Sequence, residues 1–217
     1  MAIFELQQHL SIAQGILAQL RDPDIQLDRL RFRYNLQRLG QLLAYELSKE
    51  LSYISFPLQT SLGLTKVADL EQQPVLICVM RAGLPFYQGF LDMFEQADSG
   101  FIGAYRQEFT PSGTQDIFLG YSAAPEIAGR DVILIDPMLA TGASLLKVWQ
   151  LLSKQGQVRS LHIAAAIAAP EGIERLQKEL GTEFHLWLGA IDDHLNNDDY
   201  IVPGLGDAGD LSFGPKA

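Results

Sequence analysis

The stretch VILIDPMLATGAS, residues 132–144, changes character at its centre. Apolar residues typical of β-strands lead into Asp136, and small and hydroxyl-bearing residues follow it as far as Ser144. The apolar part does not alternate with polar residues, which is the pattern of a strand buried on both faces of a parallel sheet. Ligands of open α/β sheets bind at the carboxyl ends of the strands. We therefore expect a central strand that ends at a binding site containing Asp136.

Several further segments repeat this strand pattern. They are VLICVM (75–80), GFIGAYR (100–106), LHIAAAIAA (161–169) and FHLWLGAI (184–191). Helical stretches follow most of them. These are residues 84–95, then GASLLKVWQLLSKQG with Gly156 as the expected C-cap, and PEGIERLQKELG with Pro170 in its first turn and Gly181 at its end. Repeated strand–helix units predict an α/β fold with a doubly wound, mainly parallel sheet flanked by helices.

A single domain over residues 1–217 is expected from length and composition, because 47% of the residues are hydrophobic and can form one sizeable core. Residues 1–55 are predicted as a helical N-terminal part. Its helices, over 11–21 and 27–51, would pack on one face of the sheet or on a partner subunit. Residues 107–129 are rich in Gly, Pro, Ser and Thr. They are predicted as a β-hairpin hood or flexible loop that closes over the site or simply lies on the surface.

Composition also limits the class of partner. The formal net charge of −10 argues against nucleic acid or an anionic membrane as the main partner. No apolar run reaches the roughly 18 residues of a membrane span, and the N-terminus lacks the pattern of a signal peptide. The only cysteine, Cys78, lies inside VLICVM, so we expect no disulfide within the chain, a buried thiol and a cytoplasmic protein. An anionic small molecule is compatible with this charge if specific groups hold it.

The segment after Asp136 contains such groups. Gly142, Ala143 and Ser144 fall where the next helix begins, and a helix start presents unpaired N–H groups and the positive end of the helix dipole. With the hydroxyls of Thr141 and Ser144, this arrangement favours a phosphate site. The alternative is an N-capping turn with Thr141 as the cap. Because a carboxylate repels phosphate, we expect Asp136 to accept hydrogen bonds from sugar hydroxyls of the same ligand.

Two arginines follow predicted strands in the same way. Arg81 comes directly after VLICVM, and Arg106 closes GFIGAYR. Together with the helix start, they would compensate a polyanionic ligand on an acidic protein. The alternative is that both are ordinary surface arginines at strand ends.

These motifs together resemble the uracil phosphoribosyltransferases, a family of type I phosphoribosyltransferases. In chain order the resemblance runs through LRD, LLAYE, RAGL, IGAYR, DPMLATG, AAPEGI, AID..LN and YIVPGLGDAGD, from about residue 20 to the C-terminus. DPMLATG distinguishes this family from related phosphoribosyltransferases, which usually have two adjacent acids where this chain has Asp136-Pro137. The PGLGDAGD tail is more specific still. The resemblance implies a type I phosphoribosyltransferase fold and a pyrimidine-salvage reaction with Mg²⁺. In that reaction, uracil and 5-phosphoribosyl 1-pyrophosphate (PRPP) give UMP and pyrophosphate.

Carried over by motif, the resemblance assigns roles to individual residues. Asp136, Arg106 and Asp207 would be catalytic, with Asp207 as the candidate general base. The residues that would bind PRPP are Arg81, Arg106, Asp136, Pro137, Met138, Leu139, Ala140, Thr141, Gly142, Ala143, Ser144 and Asp207. The residues that would present mainly backbone groups to uracil are Ile201, Gly206, Asp207 and Ala208. Mg²⁺ would be held mainly through PRPP, with no metal site of side chains. The resemblance further implies a homodimer or higher homo-oligomer, with GTP as a candidate effector.

The chain departs from the family where auxiliary positive charge is usual. Residues 107–129 contain no Lys or Arg, and Leu211 follows GDAGD where the family has Arg. These departures motivate a second hypothesis, a catalytically weak paralogue that acts as a nucleotide-binding regulator. Retention of Arg81, Arg106 and Asp136 favours the enzyme. A third hypothesis is transfer to another base, although the tail argues against purines.

Overall fold

A computed structural model of the chain describes residues 1–106 and 117–215, with the backbone alone at residues 105, 106 and 117. The strands are, in chain order, β1 (Ala2–Glu5), β2 (Tyr53–Gln59), β3 (Leu64–Leu70), β4 (Val75–Met80), β5 (Asp98–Arg106), β6 (Ile117–Ala123), β7 (Asp131–Ile135), β8 (Met138–Leu139), β9 (Ser160–Ala168), β10 (His185–Ile191), β11 (His194–Leu195) and β12 (Ile201–Val202). The α-helices are α1 (Ala13–Arg21), α2 (Arg29–Ser48), α3 (Gly83–Met93), α4 (Ala143–Leu152), α5 (Pro170–Leu180) and α6 (Ala208–Phe213).

The main sheet runs in the order β1-β10-β9-β7-β4-β5-β6, with the short β8 pairing with β9. Neighbouring strands are parallel except for β6, which is antiparallel to β5 at one edge. The middle strand, β7, contains the apolar part of VILIDPMLATGAS, and all of its residues are buried. The predicted doubly wound, mainly parallel α/β fold is confirmed.

Hydrophobic cores cover both faces of the sheet, as the continuously apolar strands predict. On β4, Leu76 and Cys78 face a core shared with α1, α2 and α3, whereas Val75, Ile77 and Val79 face a core shared with α4 and α5. Cys78 is fully buried, in agreement with the expectation of a core thiol. Successive side chains of a strand point to opposite faces, so each central strand contributes to both cores.

The two longest helices of the N-terminal half meet through glycine. A Cβ atom at Gly40 of α2 would overlap the backbone of Phe86, and one at Gly89 of α3 would overlap the backbone of Gln37. Only hydrogen at these positions permits the backbones to approach so closely. The predicted helix over 27–51 begins at Arg29 because the Asp28 side chain caps it.

Two elements in the first 70 residues differ from the prediction. Residues 1–55 were expected to be helical, yet β1 joins the main sheet beside β10. A strand this short carries little periodicity, and its pairing partner lies far away in sequence. The second difference is the hairpin of β2 and β3. Its residues are largely exposed, so its strands lack the buried apolar pattern from which the other strands were predicted.

The helix ends follow their local signals. Pro170 occupies the first turn of α5 and Gly181 follows its last residue, as predicted. Gly156, the expected C-cap of α4, comes after a 3-10 turn over Ser153–Gln155 that separates it from the helix. In the predicted hood, residues 117–123 form β6. Residues 107–116 of the hood lie outside the described part of the chain.

Candidate functional site

A cavity of about 360 Å³ lies at the carboxyl ends of the central strands. It brings together residues that follow β4 and β7, the start of α4, and the segment between β11 and α6. Most predicted site residues line this cavity: Arg81, Asp136, Met138, Ala140, Thr141, Gly142, Ala143, Ser144, Ile201, Gly206, Asp207 and Ala208. Motifs that are separated in sequence therefore form one site.

Pro137 and Leu139 do not line the cavity. The Pro137 carbonyl accepts hydrogen bonds from the amides of Ala166 and Ile167 in β9, at 3.0 and 3.1 Å. Leu139 is fully buried in the core beneath α5. The short strand β8 explains both positions, because pairing with β9 turns alternate residues away from the cavity. The motif indicated the right segment but not which of its residues face a ligand.

Arg106 is described only as the last backbone position of β5, and its side chain lies outside the described part of the chain. Its predicted roles in catalysis and PRPP binding stay predictions.

Several residues of the cavity wall were not predicted from the sequence to belong to the site. They are Val79, Met80, Ala82, Ala104, Leu145, Asp198, Asp199, Tyr200 and Gly209. Most are neighbours in sequence of residues that were predicted. Asp198, Asp199 and Tyr200 directly precede Ile201, and Asp199 has a φ of 62°. The polar run NNDDY before YIVPG was the available signal, since Asn and Asp are typical residues of tight turns.

The start of α4 lines one part of the cavity. Gly142 is the N-cap, with a φ of 72°, and Ala143 is the first helical residue. The Thr141 hydroxyl accepts from the Ala143 amide at 3.4 Å, longer than a usual hydrogen bond. Capping by Thr141 is therefore weak, and the helix start faces the cavity with N–H groups that a ligand can use.

Asp136 lies where β7 ends and is held by one short-range contact, the Met138 amide donating to its Oδ1 at 3.2 Å. Burial raises the pKa of the Asp136 carboxyl to about 7, an effect that the Met138 hydrogen bond opposes. The carboxyl is thus poised between its protonated and ionised forms near neutral pH. Burial also raises the pKa of the Cys78 thiol, and the charge of Asp136 adds to this effect, so the thiol stays protonated in the core.

Arg81 also lines the cavity and contacts the C-terminal segment. Its Nη2 donates to Asp210 Oδ1 at 3.2 Å and to the Gly214 carbonyl at 3.3 Å. Its Nε is buried and lacks a hydrogen-bond partner within the described residues. The peptide bond before Arg81 is cis, as is the one between Val202 and Pro203. Because no described residue accepts from Nε, the Arg81 guanidinium has donor capacity left for a ligand.

Asp207 caps the last helix. Its Oδ1 accepts from the Asp210 amide at 2.9 Å, and its backbone precedes Ala208, the first residue of α6. The loop before it contains Gly204 and Gly206, with φ angles of 66° and 84°. Such backbone is compatible with glycine and lets main-chain groups face the cavity.

The described residues contain no group of three or more His, Cys, Asp or Glu side chains arranged to hold a metal ion. In the same part of the chain, no helix is both long and apolar enough to cross a membrane.

Comparison with known proteins identifies relatives along the whole chain. A sequence model of the family "Uracil phosphoribosyltransferase" matches residues 7–215. The uracil phosphoribosyltransferase of Porphyromonas gingivalis is 37% identical over 216 residues, which cover 100% of both chains. The uracil phosphoribosyltransferase of Pyrococcus furiosus is 37% identical over 202 residues, which cover 92% of this chain and 84% of that one.

Solved structures agree on the architecture. The AQ2163 protein of Aquifex aeolicus superposes with a TM-score of 0.86 at 31% identity, covering 98% of each chain. A hypoxanthine phosphoribosyltransferase of Staphylococcus aureus superposes with a TM-score of 0.51 at 14% identity, covering 78% of this chain and 83% of that one. The second similarity concerns the fold alone.

Proposed function

The chain belongs to the uracil phosphoribosyltransferase family, and on that premise we propose that it transfers the phosphoribosyl group of PRPP to N1 of uracil. The products are UMP and pyrophosphate. One observation carries the assignment of this reaction to the cavity. A helix start, a strand-end carboxyl and a glycine-rich main-chain loop face the same space.

The 5′-phosphate of PRPP binds at the start of α4. The amides of residues 140–144 and the hydroxyls of Thr141 and Ser144 donate to its oxygens. The positive φ of Gly142 turns the backbone into the helix without a side chain in the way of the anion.

Asp136 accepts hydrogen bonds from the ribose hydroxyls. A carboxylate has the acceptor capacity for both hydroxyls, and burial in the cavity strengthens such bonds. The raised pKa means that ligand-free Asp136 is partly protonated near neutral pH. Holding the ring at two points orients C1 toward the base.

The pyrophosphate end lies toward Arg81 and Arg106. Arg81 has an unpaired Nε, and it exchanges its contacts with Asp210 and Gly214 for the ligand. Mg²⁺ fits this site through PRPP itself, because it keeps several waters and takes one or two carboxylates with substrate phosphates rather than a cage of side chains. Asp136 is the strand-end carboxyl near it, and the ion would add positive charge that helps pyrophosphate leave.

Uracil binds against the main chain of Ile201, Gly206 and Ala208. A pyrimidine edge alternates donors and acceptors, which backbone N–H and C=O groups match. As pyrophosphate departs, positive charge grows on the ribose and N1 of uracil attacks C1. The residues of the site position the reactants and stabilise this charge.

Asp207 is the candidate general base for the N1 proton. Its Oδ1 already accepts from the Asp210 amide, and the same carboxylate has further acceptor capacity. Asp207→Asn keeps the cap, because Asn is also a good N-cap residue. We expect UMP formation to fall while stability is unchanged, and equal turnover in mutant and wild type would remove the role.

A homo-oligomer in the cytoplasm is the setting that we propose for this activity. Leu27, Leu30 and Tyr34 of the α2 region are exposed, as is much of the β2–β3 hairpin, and large exposed apolar patches mark interaction sites. The lone cysteine suits a reducing compartment. GTP is the candidate effector, and its addition to the assay of UMP formation described next tests this role.

The decisive experiment measures UMP formed from uracil and PRPP with Mg²⁺, with Asp136→Asn as the matched variant. Turnover in the wild type that the variant loses supports the proposal. Binding of UMP without turnover in the wild type would instead assign the chain to the regulator class.

A further inference from the structure

The base loop, residues 201–206, has to be held in place from outside. It presents main-chain groups to the base, so its backbone position sets the recognition pattern. A Cβ atom on Gly204 would collide with the carbonyl of Ile201, and the φ angles of Gly204 and Gly206 are positive. Glycine backbone is the most freely moving kind. Support for the loop must therefore come from side chains elsewhere in the chain.

An ion pair behind the cavity provides this support. Arg21, the last residue of α1, binds Asp192 through both ends of its guanidinium, with Nη1–Oδ2 at 2.9 Å and Nη2–Oδ1 at 2.6 Å. Asp192 directly follows β10, and its side chain is only 3% exposed, against 21% for Arg21. Two parallel hydrogen bonds to one carboxylate fix the relative geometry of both side chains.

Both partners of the pair also hold the same loop residue. The Gly204 amide donates to Asp192 Oδ2 at 2.9 Å, and Arg21 Nη1 donates to the Gly204 carbonyl at 3.2 Å. The pair and the peptide groups of Gly204 thus form a closed ring of hydrogen bonds. Oriented by its hydrogen bonds, the Gln26 amide donates to the carbonyls of Leu205 and Leu20 at 2.8 and 3.2 Å. Arg21 and Gln26 therefore hold two consecutive loop residues, Gly204 and Leu205.

We propose that Arg21 and Asp192 are positioning residues for base recognition, an inference that rests on the proposed function. Neither residue lines the cavity, so both act through the base loop. The phosphoribosyl half lies on β7 and α4, which this ion pair does not contact. A loss of the pair shifts the uracil-binding groups and leaves the PRPP-binding groups in place.

The chain offers a matched control in a second ion pair of similar design. Arg159 binds Asp131 through Nε–Oδ1 at 3.1 Å and Nη2–Oδ2 at 2.7 Å, and the Asp131 side chain is 6% exposed. Asp131 begins β7, at the end of the sheet opposite the cavity. Asp131→Asn therefore disrupts a comparable buried pair without touching the base loop.

The experiment compares steady-state kinetics of Asp192→Asn, Arg21→Lys and Asp131→Asn with the wild type, at a temperature where all are folded. For Asp192→Asn we expect the KM for uracil to rise about tenfold, the worth of one well-made hydrogen bond to a charged group. The KM for PRPP should stay within about twofold, since its binding groups are untouched. Arg21→Lys keeps the charge but loses the two parallel hydrogen bonds of the guanidinium. Its KM for uracil should therefore lie between those of the wild type and Asp192→Asn.

Asp131→Asn should lower stability without moving either KM. Gln26→Leu, at a partly exposed side chain, provides the same uracil readout should the ion-pair variants not fold. A uracil KM that stays within about twofold of wild type in a folded variant, or a parallel rise in both KM values, overturns the inference. Absence of turnover in the wild type would instead overturn the proposed function.

Discussion

The proposed phosphoribosyl half of the cavity lies on one continuous stretch, residues 136–144, whereas the proposed base half lies on a loop that side chains from distant parts of the chain hold in place. In the first half, strand β7, the carboxyl and the helix start follow one another, so local structure alone brings the groups together. In the second, the loop near residue 204 depends on Arg21 and Asp192. The first half therefore responds to changes in its own residues, and the second also to changes far from the ligand.

The largest effect should come from the carboxyl of the local half. Asp136→Asn removes the negative charge and replaces one of the two acceptor oxygens for the ribose hydroxyls with an NH2 donor. We expect kcat/KM for PRPP to fall by roughly a hundredfold, as when one preorganised polar group is removed from an active site. The measurement is UMP formation under steady state at varied PRPP. Wild-type kinetics in this variant would show that Asp136 is not in the phosphoribosyl half.

An intermediate effect should follow from the backbone of the same half. Gly142→Ala places a side chain at a φ of 72°, and its Cβ would lie 3.1 Å from the Gly172 carbonyl. We expect the free energy of unfolding to drop by about 1–2 kcal/mol. The KM for PRPP should rise about tenfold, because the helix start moves relative to the phosphate.

Gly181→Ala is the matched control for this prediction. Its φ of 74° is nearly the same, but nothing lies within 4 Å of its added Cβ. Its ψ of −139° lies close to a region that essentially only glycine adopts, so this variant should lose about 1–3 kcal/mol of stability, with unchanged kinetics. Equal PRPP kinetics in both glycine variants would sever the link between the Gly142 backbone and the phosphate.

The last effect concerns the stability of the ligand-free protein and its dependence on pH. Burial holds the pKa of Asp136 at about 7, above its ordinary value of 3.8, so the folded state binds this proton more tightly than the unfolded state. Proton binding by Asp136 therefore contributes to the free energy of unfolding. This contribution is present in full when the pH is below the ordinary pKa, and it is lost as the pH rises to the folded-state pKa. Asp136→Asn should therefore be more stable than the wild type at pH 8, by roughly 1–3 kcal/mol.

Urea unfolding of both proteins at pH 8 and near pH 4, without ligand, measures this difference. The advantage of the variant should shrink toward the lower pH. A difference that is the same at both values would mean that the Asp136 carboxyl does not titrate in this range. Together with the kinetic loss, a gain in stability would show that the local half holds its carboxyl at a cost to the fold.

Much of this fold was predictable because its signals are local. The apolar runs that became β4, β7, β9 and β10 are buried on both faces, and that burial is written in their composition. Strand β1 and the β2–β3 hairpin were missed, because one pairs with β10 across nearly the whole chain and the other has few buried side chains. Pairing of this kind leaves little trace in a short window of sequence.

For the site, sequence motifs indicated the segments and tertiary structure selected the residues within them. Pro137 and Leu139 belong to the motif but turn toward β9 and the core. Asp198, Asp199 and Tyr200 reach the cavity although no predicted role included them. The direction of each side chain depends on strand pairing, which the motif does not contain.

By itself, the sequence determined the α/β class, the central strand, the family resemblance and the helix start after Asp136, because each depends on neighbouring residues. Only the tertiary structure decided that the C-terminal loop lies beside Asp136 and that Arg21, Gln26 and Asp192 hold it. Contacts between residues this far apart form when the sheet and its helices pack, and an ion pair 171 positions apart has no local signature.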